Sequence, residues 1–464
     1  HHFALMVIEE LNKKYGEERI TRSGFRVTTS LDSSWQKTAE DNVLKQVQTL
    51  SRQDARNGAL VAIDPTTGEV RALVGSADWD NKEYGKVNMA TSPRQPGSSF
   101  KPIYYTEAIN TKKITAATVL HDKPTDFGGG YKPTNYDFKY RGDVSTRYAL
   151  ANSLNIPAVE VMEKLGVNES SKAAQRMGIS TVDKPETYGL SLALGTAEAR
   201  LTDMTNAYAA FAKQGDQYPI TTISEIKDKF ENTVYKNKPK AKRVMSKEAS
   251  FIISSILSDE KARAPLAGSK FNIGRPAAVK TGTTNDERDA WTIGYTPQVA
   301  VGVWVGNNDN TPMKGVGGSL GAGPIWRNSI TSFLKNSKAE QFPVPSGVVQ
   351  ISVCNSTSSQ QEYFIRGTDA QFKCAEKPKD EKKEEPKKRE DEDIKPNDRN
   401  QGGSNGNQNQ GNDGQDGEDD GGDQEDEGGG TTPPPDEDTE EPTDPVTPTP
   451  PPTTPTSPTT RTSP

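Results

Sequence analysis

Apolar residues recur along this chain in short runs and at helical spacings, and these patterns predict its strands and helices. Residues 59–63 and 70–74 are apolar runs separated by Asp-Pro-Thr-Thr-Gly at residues 64–68. Proline, aspartate and glycine favour tight turns, so residues 58–75 are predicted to form a β-hairpin. Further predicted elements are a helix, a short strand (24–31) and a second helix from Asp32, helices within 143–215 and at 246–258, two buried strands within 276–306, and a helix at 324–335.

This order of elements places strands at both ends of a helical middle. It favours the α+β class, in which an antiparallel sheet carries helices on its faces. We divide the chain into residues 1–50, a main domain at 51–340, a small β appendage at 341–376 and a tail at 377–464.

The tail differs sharply in composition from the rest of the chain. After about Cys374 there are almost no large apolar residues, and Gly, Asn, Asp, Glu, Thr and Pro predominate. Such a segment cannot bury enough apolar surface to offset the entropy lost on ordering, so residues 377–464 are predicted to be disordered. The net charge of −7 comes largely from this acidic tail. Without a basic face, the chain is not expected to bind nucleic acid.

The scarcity of histidine and cysteine limits the kinds of active site that this chain can form. The chain has 3 histidines, of which His1 and His2 open the sequence and His121 lies in a predicted loop, so a Ser-His-Asp site is not expected. Cys354 and Cys374 have no histidine near them, which argues against zinc, and no metal or other cofactor is expected. The two cysteines form one disulfide if the protein is exported, and are otherwise free thiols. No segment approaches the roughly 18 apolar residues that span a bilayer.

Three short motifs carry the candidate chemistry. They are Ser-Ser-Phe-Lys at residues 98–101, Ser-Leu-Asn at 153–155 and Lys-Thr-Gly-Thr at 280–283. Ser98 and Lys101 are three residues apart and would share one face of a helix. Because Pro102 is tolerated only near a helix start, the helix is predicted to begin at about Ser98. Each motif alone is usually structural, but the ordered set, with so few histidines, predicts a serine nucleophile with a lysine base.

A lysine accepts a proton only when it is neutral, so the pKa of Lys101 must fall from about 10.4 towards 7–8. Burial and a second nearby cation, Lys280, would both lower it. Ser153 is predicted to relay the proton between the lysines and onto the leaving amine. Asn155 is predicted to orient Lys101 and to hold a substrate amide.

The third motif is predicted to be an edge strand that lines a cleft. Gly282 has no side chain, so a substrate backbone could lie against the strand there. Thr281, Thr283 and Lys280 are predicted to bind a substrate carboxylate, and the N–H groups of Ser98 and Thr283 to form an oxyanion hole. The predicted substrate-binding residues are Thr281, Gly282, Thr283 and Thr284.

The residues around the motifs resemble those of bifunctional (class A) penicillin-binding proteins. The matching segments are 94–102, 149–158, 280–286 with Asp-Ala-Trp at 289–291, and Gly-Val-Trp-Val-Gly at 302–306. Residues 24–36 resemble the linker that precedes the transpeptidase domain of this family. The resemblance covers about residues 3–340. It implies a five-stranded antiparallel sheet between helices together with an all-helical lobe.

The resemblance also implies an activity and its partners. The chain is expected to be a D,D-transpeptidase in which Ser98 attacks the D-Ala–D-Ala bond of a peptidoglycan stem peptide and forms an acyl-enzyme. An amine of a neighbouring stem then resolves the acyl-enzyme, and β-lactam antibiotics would acylate the same serine. Cell-wall and division proteins are further candidate partners.

The membrane anchor and the glycosyltransferase domain of the family are not found in this sequence, so glycan polymerisation is not expected of it. The tail resembles those of Gram-positive members. This similarity implies that the protein is located on the extracellular face of the cell membrane. The only membrane contact it implies is through the family's N-terminal anchor, which this sequence lacks.

Two other classes of protein remain open from the sequence. A β-lactamase or a D,D-carboxypeptidase would use the same motifs with water as acceptor, but a β-lactamase needs a well-placed glutamate. Glu186 and Glu198 lie between the second and third motifs without the Glu-x-x-Leu-Asn pattern. The other class is non-catalytic, a penicillin sensor or a wall-binding scaffold, and the intact Ser98, Lys101 and Lys280 argue against it.

Overall fold

A five-stranded antiparallel sheet lies at the centre of the molecule, seen in a computed structural model that describes residues 1–354 and 359–372. The strands in chain order are β1 (Arg26–Thr29), β2 (Asn57–Ile63), β3 (Val70–Val74), β4 (Val119–Asp122), β5 (Gly142–Ser145), β6 (Asp216–Gln217), β7 (Ile223–Lys227), β8 (Thr233–Lys236), β9 (Lys242–Arg243), β10 (Ala278–Thr283), β11 (Asp289–Tyr295), β12 (Ala300–Gly306), β13 (Val348–Cys354) and β14 (Ser359–Ile365). The helices are α1 (His2–Tyr15), α2 (Glu17–Ser23), α3 (Ser33–Thr49), α4 (Lys101–Asn110), α5 (Thr146–Ala151), α6 (Asn155–Leu165), α7 (Val167–Arg176), α8 (Pro185–Tyr188), α9 (Leu201–Ala212), α10 (Lys247–Leu257), α11 (Glu260–Ala267) and α12 (Ala322–Phe333).

The central sheet has the strand order β10-β11-β12-β2-β3, and every neighbouring pair is antiparallel. The α+β prediction and the hairpin predicted for residues 58–75 are both confirmed, since β2 pairs with β3. Strands β2, β11 and β12 are buried along their whole length because helices cover both faces of the sheet. Strand β10 is an edge strand, which leaves one side free to face a cleft.

Alternate residues of β2 enter two different hydrophobic cores, as the period of two in a strand requires. Leu60 and Ala62 pack in the core that holds Val43 of α3 and Trp326 of α12. Ala59, Val61 and Ile63 pack in the larger core on the other face. The helices contributing to that larger core include α4, α6, α9 and α10. Burying a single Leu or Val contributes about 1.5–3 kcal/mol, so each face holds its helices firmly against the sheet.

Residues 276–306 form three strands, so the prediction of two strands is wrong. The extra strand is β11, whose buried polar residues interrupt the apolar pattern. Asp289 at its start accepts a hydrogen bond from Trp304 Nε1 (2.8 Å), and the Thr292 hydroxyl donates to Gly318 O (3.0 Å). These partners satisfy the polar atoms inside the sheet, which a hydropathy pattern does not show.

The first 50 residues contribute to two parts of the fold. Strand β1 pairs with β7, and β7 with β8, in a separate three-stranded sheet. Helix α3 packs on the central sheet, and Asp32 caps it by accepting hydrogen bonds from Ser34 N and Trp35 N (3.0 and 3.1 Å). Whether residues 1–50 are a separate region remains a prediction, but α3 belongs to the core of the sheet.

Strands β13 and β14 form an antiparallel hairpin within the predicted appendage. It packs on α10, where the Phe251 and Tyr363 rings lie 5.1 Å apart. The predicted tail at 377–464 lies outside the described residues, as does Cys374, so the Cys354–Cys374 disulfide stays a prediction. Within the described parts of the chain, no helix combines the length and apolar character needed to cross a bilayer.

Candidate active site

The first motif lies in a tight turn that leads into α4. Residues 97–100 form a 3-10 helix, and α4 follows directly with Pro102 in its first turn. Gly97 has a left-handed φ of 54°, which turns the chain sharply before the serine. Ser98 is half-buried, and its hydroxyl has no hydrogen-bond partner among the residues the structure describes. The predicted helix start is therefore a 3-10 turn, here called the serine turn (residues 96–100), with Ser98 at its open side.

Close backbone contacts fix the serine turn against β10. A Cβ on Gly97 would lie 2.7 Å from Thr283 O, and one on Gly282 would lie 2.2 Å from Pro96 O. On the other side, a Cβ on Gly195 would lie 2.1 Å from Gly97 O. These glycines let three backbone segments pack directly on one another. Gly282 was predicted to make room for substrate, but in the structure its missing side chain makes room for the serine turn.

Lys101 is fully buried and donates three hydrogen bonds to the second motif. Its Nζ lies 2.7 Å from Ser153 O, 3.0 Å from Leu154 O and 2.8 Å from Asn155 Oδ1. Burial lowers the pKa of Lys101 well below its ordinary value, and the nearby charge of Lys280 lowers it further. The three acceptors orient the amine but none of them carries a charge, so they do little to offset the desolvation of an ammonium ion.

The backbone of the second motif is strained and held by a loop that sequence reasoning missed. Ser153 joins α5 to α6 with a left-handed φ of 57°, a costly conformation for a non-glycine residue. Asn155 N donates to Asn135 Oδ1 (2.8 Å), and Asn155 Nδ2 donates to Thr134 O (2.8 Å). Asn135 and Thr134 therefore set the position of the amide that contacts Lys101. Their only sequence signal was a run of polar and turn-forming residues.

Lys280 approaches the second motif from the sheet side. Its Nζ donates to Ser153 Oγ (2.7 Å) and to Thr281 O (2.9 Å). The lysine is 3% exposed, and burial lowers its pKa to about 7. Ser153 thus contacts both lysines, through its carbonyl oxygen to Lys101 and through its hydroxyl to Lys280. We call Lys101 and Lys280 the buried lysine pair.

The carboxylate of Asp122 lies near the buried lysine pair but forms its hydrogen bonds with other residues. Asp122 is fully buried, and its charge raises the pKa of Lys101 in opposition to the larger effect of burial. Its oxygens accept hydrogen bonds from Asn135 Nδ2 (2.7 Å) and Arg141 N (2.9 Å). Asp122 therefore fixes the loop that holds Asn155 and does not form an ion pair with either lysine.

Two backbone N–H groups, those of Ser98 and Thr283, lie where the serine turn packs on β10. Thr284 N donates to Asp289 O (3.1 Å), and bonded and non-bonded pairs alternate in an antiparallel ladder. Thr283, which lies opposite Ala290, therefore directs its N–H away from β11, towards the serine turn. The N–H of Ser98 is near the start of its 3-10 helix, where no carbonyl of the same helix can accept it.

The remaining predicted residues divide into two groups. Thr281 and Thr283 are two residues apart and share one face of β10, while Lys280 and Gly282 occupy the other face. Thr283 Oγ1 accepts a hydrogen bond from Gly318 N (3.0 Å) and stays half-buried. Thr284 is buried, and its hydroxyl accepts a hydrogen bond from Asp289 N (2.8 Å). This side chain therefore bonds within the protein.

His121 lies on β4 rather than in a loop, and its backbone N–H donates to Glu160 Oε2 (2.8 Å). Its imidazole contacts Glu160 and not the motif residues. Among the described residues, no group of three or more His, Cys, Asp or Glu side chains is arranged to hold a metal ion. The motif residues themselves place the Ser98 hydroxyl one helical turn before a buried amine, and Ser153 joins that amine to a second one, both of lowered pKa, an arrangement compatible with nucleophilic chemistry at the serine.

Comparison with known proteins identifies the family. Residues 58–330 match the penicillin-binding protein transpeptidase domain, and the chain therefore belongs to that family, as the sequence motifs predicted. Penicillin-binding protein 2D of Bacillus subtilis is 32% identical over 392 residues, which are 79% of this chain and 55% of that protein. The match is to the transpeptidase part of class A members, and the chain spans about half the length of this relative.

Solved structures agree with the fold. Penicillin-binding protein 1A from Haemophilus influenzae superposes with a TM-score of 0.69 over 79% of this chain and 76% of that chain, at 23% identity. The PonA1 protein from Mycobacterium tuberculosis in complex with penicillin V has a TM-score of 0.66 and 26% identity, over 74% of this chain and 95% of that chain. The predicted transpeptidase fold, with its five-stranded antiparallel sheet, is thus confirmed.

Proposed function

We propose that this chain is a D,D-transpeptidase that cross-links peptidoglycan stem peptides through an acyl-enzyme on Ser98. The observation that carries the proposal is that Ser153 contacts both Lys101 and Lys280, two buried amines of lowered pKa, while the Ser98 hydroxyl lies one helical turn before Lys101. The family match and the penicillin V complex of PonA1 support it.

In the proposed acylation, Ser98 Oγ attacks the carbonyl carbon of the D-Ala–D-Ala amide and its proton passes to neutral Lys101. Lys101 must first release one of its three hydrogen bonds, because a neutral amine has two donors and one lone pair. The oxyanion that forms accepts hydrogen bonds from the N–H groups of Ser98 and Thr283. The C–N bond then breaks, the leaving nitrogen takes a proton through Ser153, and D-alanine departs.

The second half of the reaction reverses these roles. An amine of a neighbouring stem attacks the ester carbonyl, loses a proton to the lysines through Ser153, and forms the new amide. The Ser98 oxygen leaves and recovers its proton. Lys280, with a pKa of about 7, can give or take this proton at neutral pH, which suits a group that must do both.

Water could replace the amine in a hydrolase, which would need a glutamate held in position to activate it. Glu186 and Glu198 are both exposed, and among the described residues neither side-chain carboxylate forms a hydrogen bond or ion pair that would hold it in such a position. The proposal therefore expects slow deacylation of a penicilloyl-enzyme. The mature location we propose, the outer face of the cell membrane, follows from the substrate.

Labelling with a fluorescent penicillin tests the proposal most directly. The wild-type protein should be labelled at Ser98 for many minutes, and the Ser98→Ala variant should not be labelled. Ser99→Ala is a matched control, because Ser99 Oγ is buried and bonded to Pro96 O (2.7 Å). Rapid release of label with turnover would indicate a β-lactamase or carboxypeptidase, and equally weak labelling of wild type and Ser98→Ala would indicate a non-catalytic protein.

A further inference from the structure

A polar cavity lies beyond the end of β10, next to the serine turn. It has a volume of about 200 Å³, and its wall is formed by the segment before Ser98 and the loop after Thr283. The residues that line it are Arg94, Gln95, Glu198, Asn285, Asp286, Arg288, Asp289 and Asn310. Asp286 and its neighbour Glu287 both have left-handed φ values (56° and 53°), so the loop is held in a strained conformation.

The proposed reaction fixes which part of the substrate would reach this cavity. The terminal carboxylate is assigned to Lys280, Thr281 and Thr283 on β10, and the reacting carbonyl to the N–H group of Thr283. A peptide lying along this edge strand must continue past Thr283, at about 3.3 Å per residue. The residue before the reacting D-alanine is the third of the stem, and its long side chain would extend towards Asn285 and Arg94.

Most charged groups in the cavity already have partners. Arg288 donates to Asp286 Oδ2 (3.4 Å) and to Asn310 O (2.5 Å). Asp289 accepts from Trp304 Nε1 (2.8 Å), and burial raises the pKa of its carboxyl group. These three side chains therefore form the wall rather than offering a free charge.

One cationic and one anionic side chain of the cavity remain available to bind a ligand. Arg94 donates through Nη2 to Asn308 O, but its Nε is buried and has no hydrogen-bond partner in the described parts of the chain. Glu198 is exposed, and its side-chain carboxylate forms no hydrogen bond or ion pair among the described residues. Residues 94 and 199 are joined by a β-bridge, which holds the two side chains on neighbouring backbone. Both side chains line the cavity, so its wall presents one guanidinium group to a carboxylate and one carboxylate to an ammonium group.

We propose that this cavity binds the side chain of the third stem residue, and that it selects a side chain ending in both an ammonium and a carboxylate. Diaminopimelate has this zwitterionic end, whereas lysine has the ammonium alone. Arg94 would bind the carboxylate and Glu198 the ammonium. The inference rests on the proposed function, since it takes the direction of the bound stem from it.

The test compares two synthetic pentapeptides that differ only at the third residue, meso-diaminopimelate or L-lysine. Wild type should release D-alanine from the diaminopimelate peptide with a kcat/KM at least about tenfold higher, because a charge-assisted hydrogen bond is worth about 1.5–3 kcal/mol. Arg94→Gln and Glu198→Gln should each reduce this ratio towards one. Glu186→Gln removes an equally exposed carboxylate outside the cavity and should keep the ratio.

Because the readout is a ratio within each variant, a general loss of activity or folding does not imitate the expected result. Equal rates on both peptides, or a ratio unchanged in both variants, would overturn the inference. Failure of the proposed function looks different, since the wild-type protein would then either release its penicillin label rapidly with turnover or be labelled no better than Ser98→Ala.

Discussion

Two buried cationic clusters in this molecule differ in the partners that surround them. Lys101 and Lys280 donate to carbonyl, amide and hydroxyl oxygens, and burial lowers both pKa values. Arg147 is just as buried, but it donates to Glu362 through Nε (2.7 Å) and Nη2 (2.6 Å) and to Asp259 through Nη1 (3.3 Å). Burial by itself lowers the pKa of Arg147, and the carboxylates more than offset this and raise it.

The difference shows that the charge of the hydrogen-bond acceptors, more than the extent of burial, decides whether a buried cation stays charged. The Arg147 cluster (Arg147, Asp259 and Glu362) is a network of ion pairs that joins α5, the start of α11 and strand β14. The buried lysine pair holds its protons weakly, as a site of proton transfer requires. The two clusters are close in sequence, because α5 carries Arg147 and ends just before Ser153.

The largest expected effect comes from removing a lysine. Lys101→Met keeps the apolar stem and removes the amine, so the rate of Ser98 acylation by penicillin should fall by about 10²–10⁴. Stopped-flow or gel-based labelling measures this rate. Lys270→Met removes an exposed lysine and should not change it. Acylation of Lys101→Met at the wild-type rate would exclude Lys101 as the base.

Removing a carboxylate from the Arg147 cluster should cost stability. Glu362→Gln leaves a buried guanidinium without its bidentate partner, which should lower the free energy of unfolding by about 3 kcal/mol. Urea unfolding measures this change. Glu231→Gln breaks an ion pair with Arg26 whose side chains are 52% and 72% exposed, and should cost less than about 1 kcal/mol. Equal costs for the two variants would contradict the comparison.

Adding a carboxylate to the lysine pair should make it resemble the Arg147 cluster. Asn155→Asp places a charged acceptor at the position that now lies 2.8 Å from Lys101 Nζ, and should raise the pKa of Lys101. Penicillin acylation at pH 7 should then fall about tenfold for each unit of pKa increase. The rate should recover at higher pH. A loss that is the same at every pH would mean that the variant only misplaces the amine.

The smallest expected effect is the change in stability for each unit of pH. The pKa of Lys280 is about 7 in the folded chain and 10.5 ordinarily, so between these values the unfolded chain binds more protons. Stability should therefore rise with pH from about 7 to about 10.5, by at most about 1.4 kcal/mol per pH unit from this residue, and not depend on it below 7. Unfolding curves of wild type and Lys280→Met should diverge in this window. Parallel curves would refute the lowered pKa.

Sequence patterns predicted the sheet, its hairpin and the three motifs because each depends on local periodicity or on adjacent residues. They did not predict β11, whose buried polar side chains find partners in Trp304 and Gly318 from elsewhere in the fold. They also missed the roles of Asn135 and Asp122, since these residues act on Asn155 across the fold. The Gly282 contact with Pro96 was misread because nothing in the sequence shows which backbone lies against the strand.

The stacked glycines around the serine turn also determine how this site can vary. A side chain at Gly97, Gly195 or Gly282 would meet backbone atoms within 2.7 Å, and backbone cannot move aside without carrying Ser98 with it. The layer behind the nucleophile is therefore closed to substitution. Inherited changes in selectivity, whether towards another stem peptide or away from an inhibitor, are confined to side chains on the rim of the cleft.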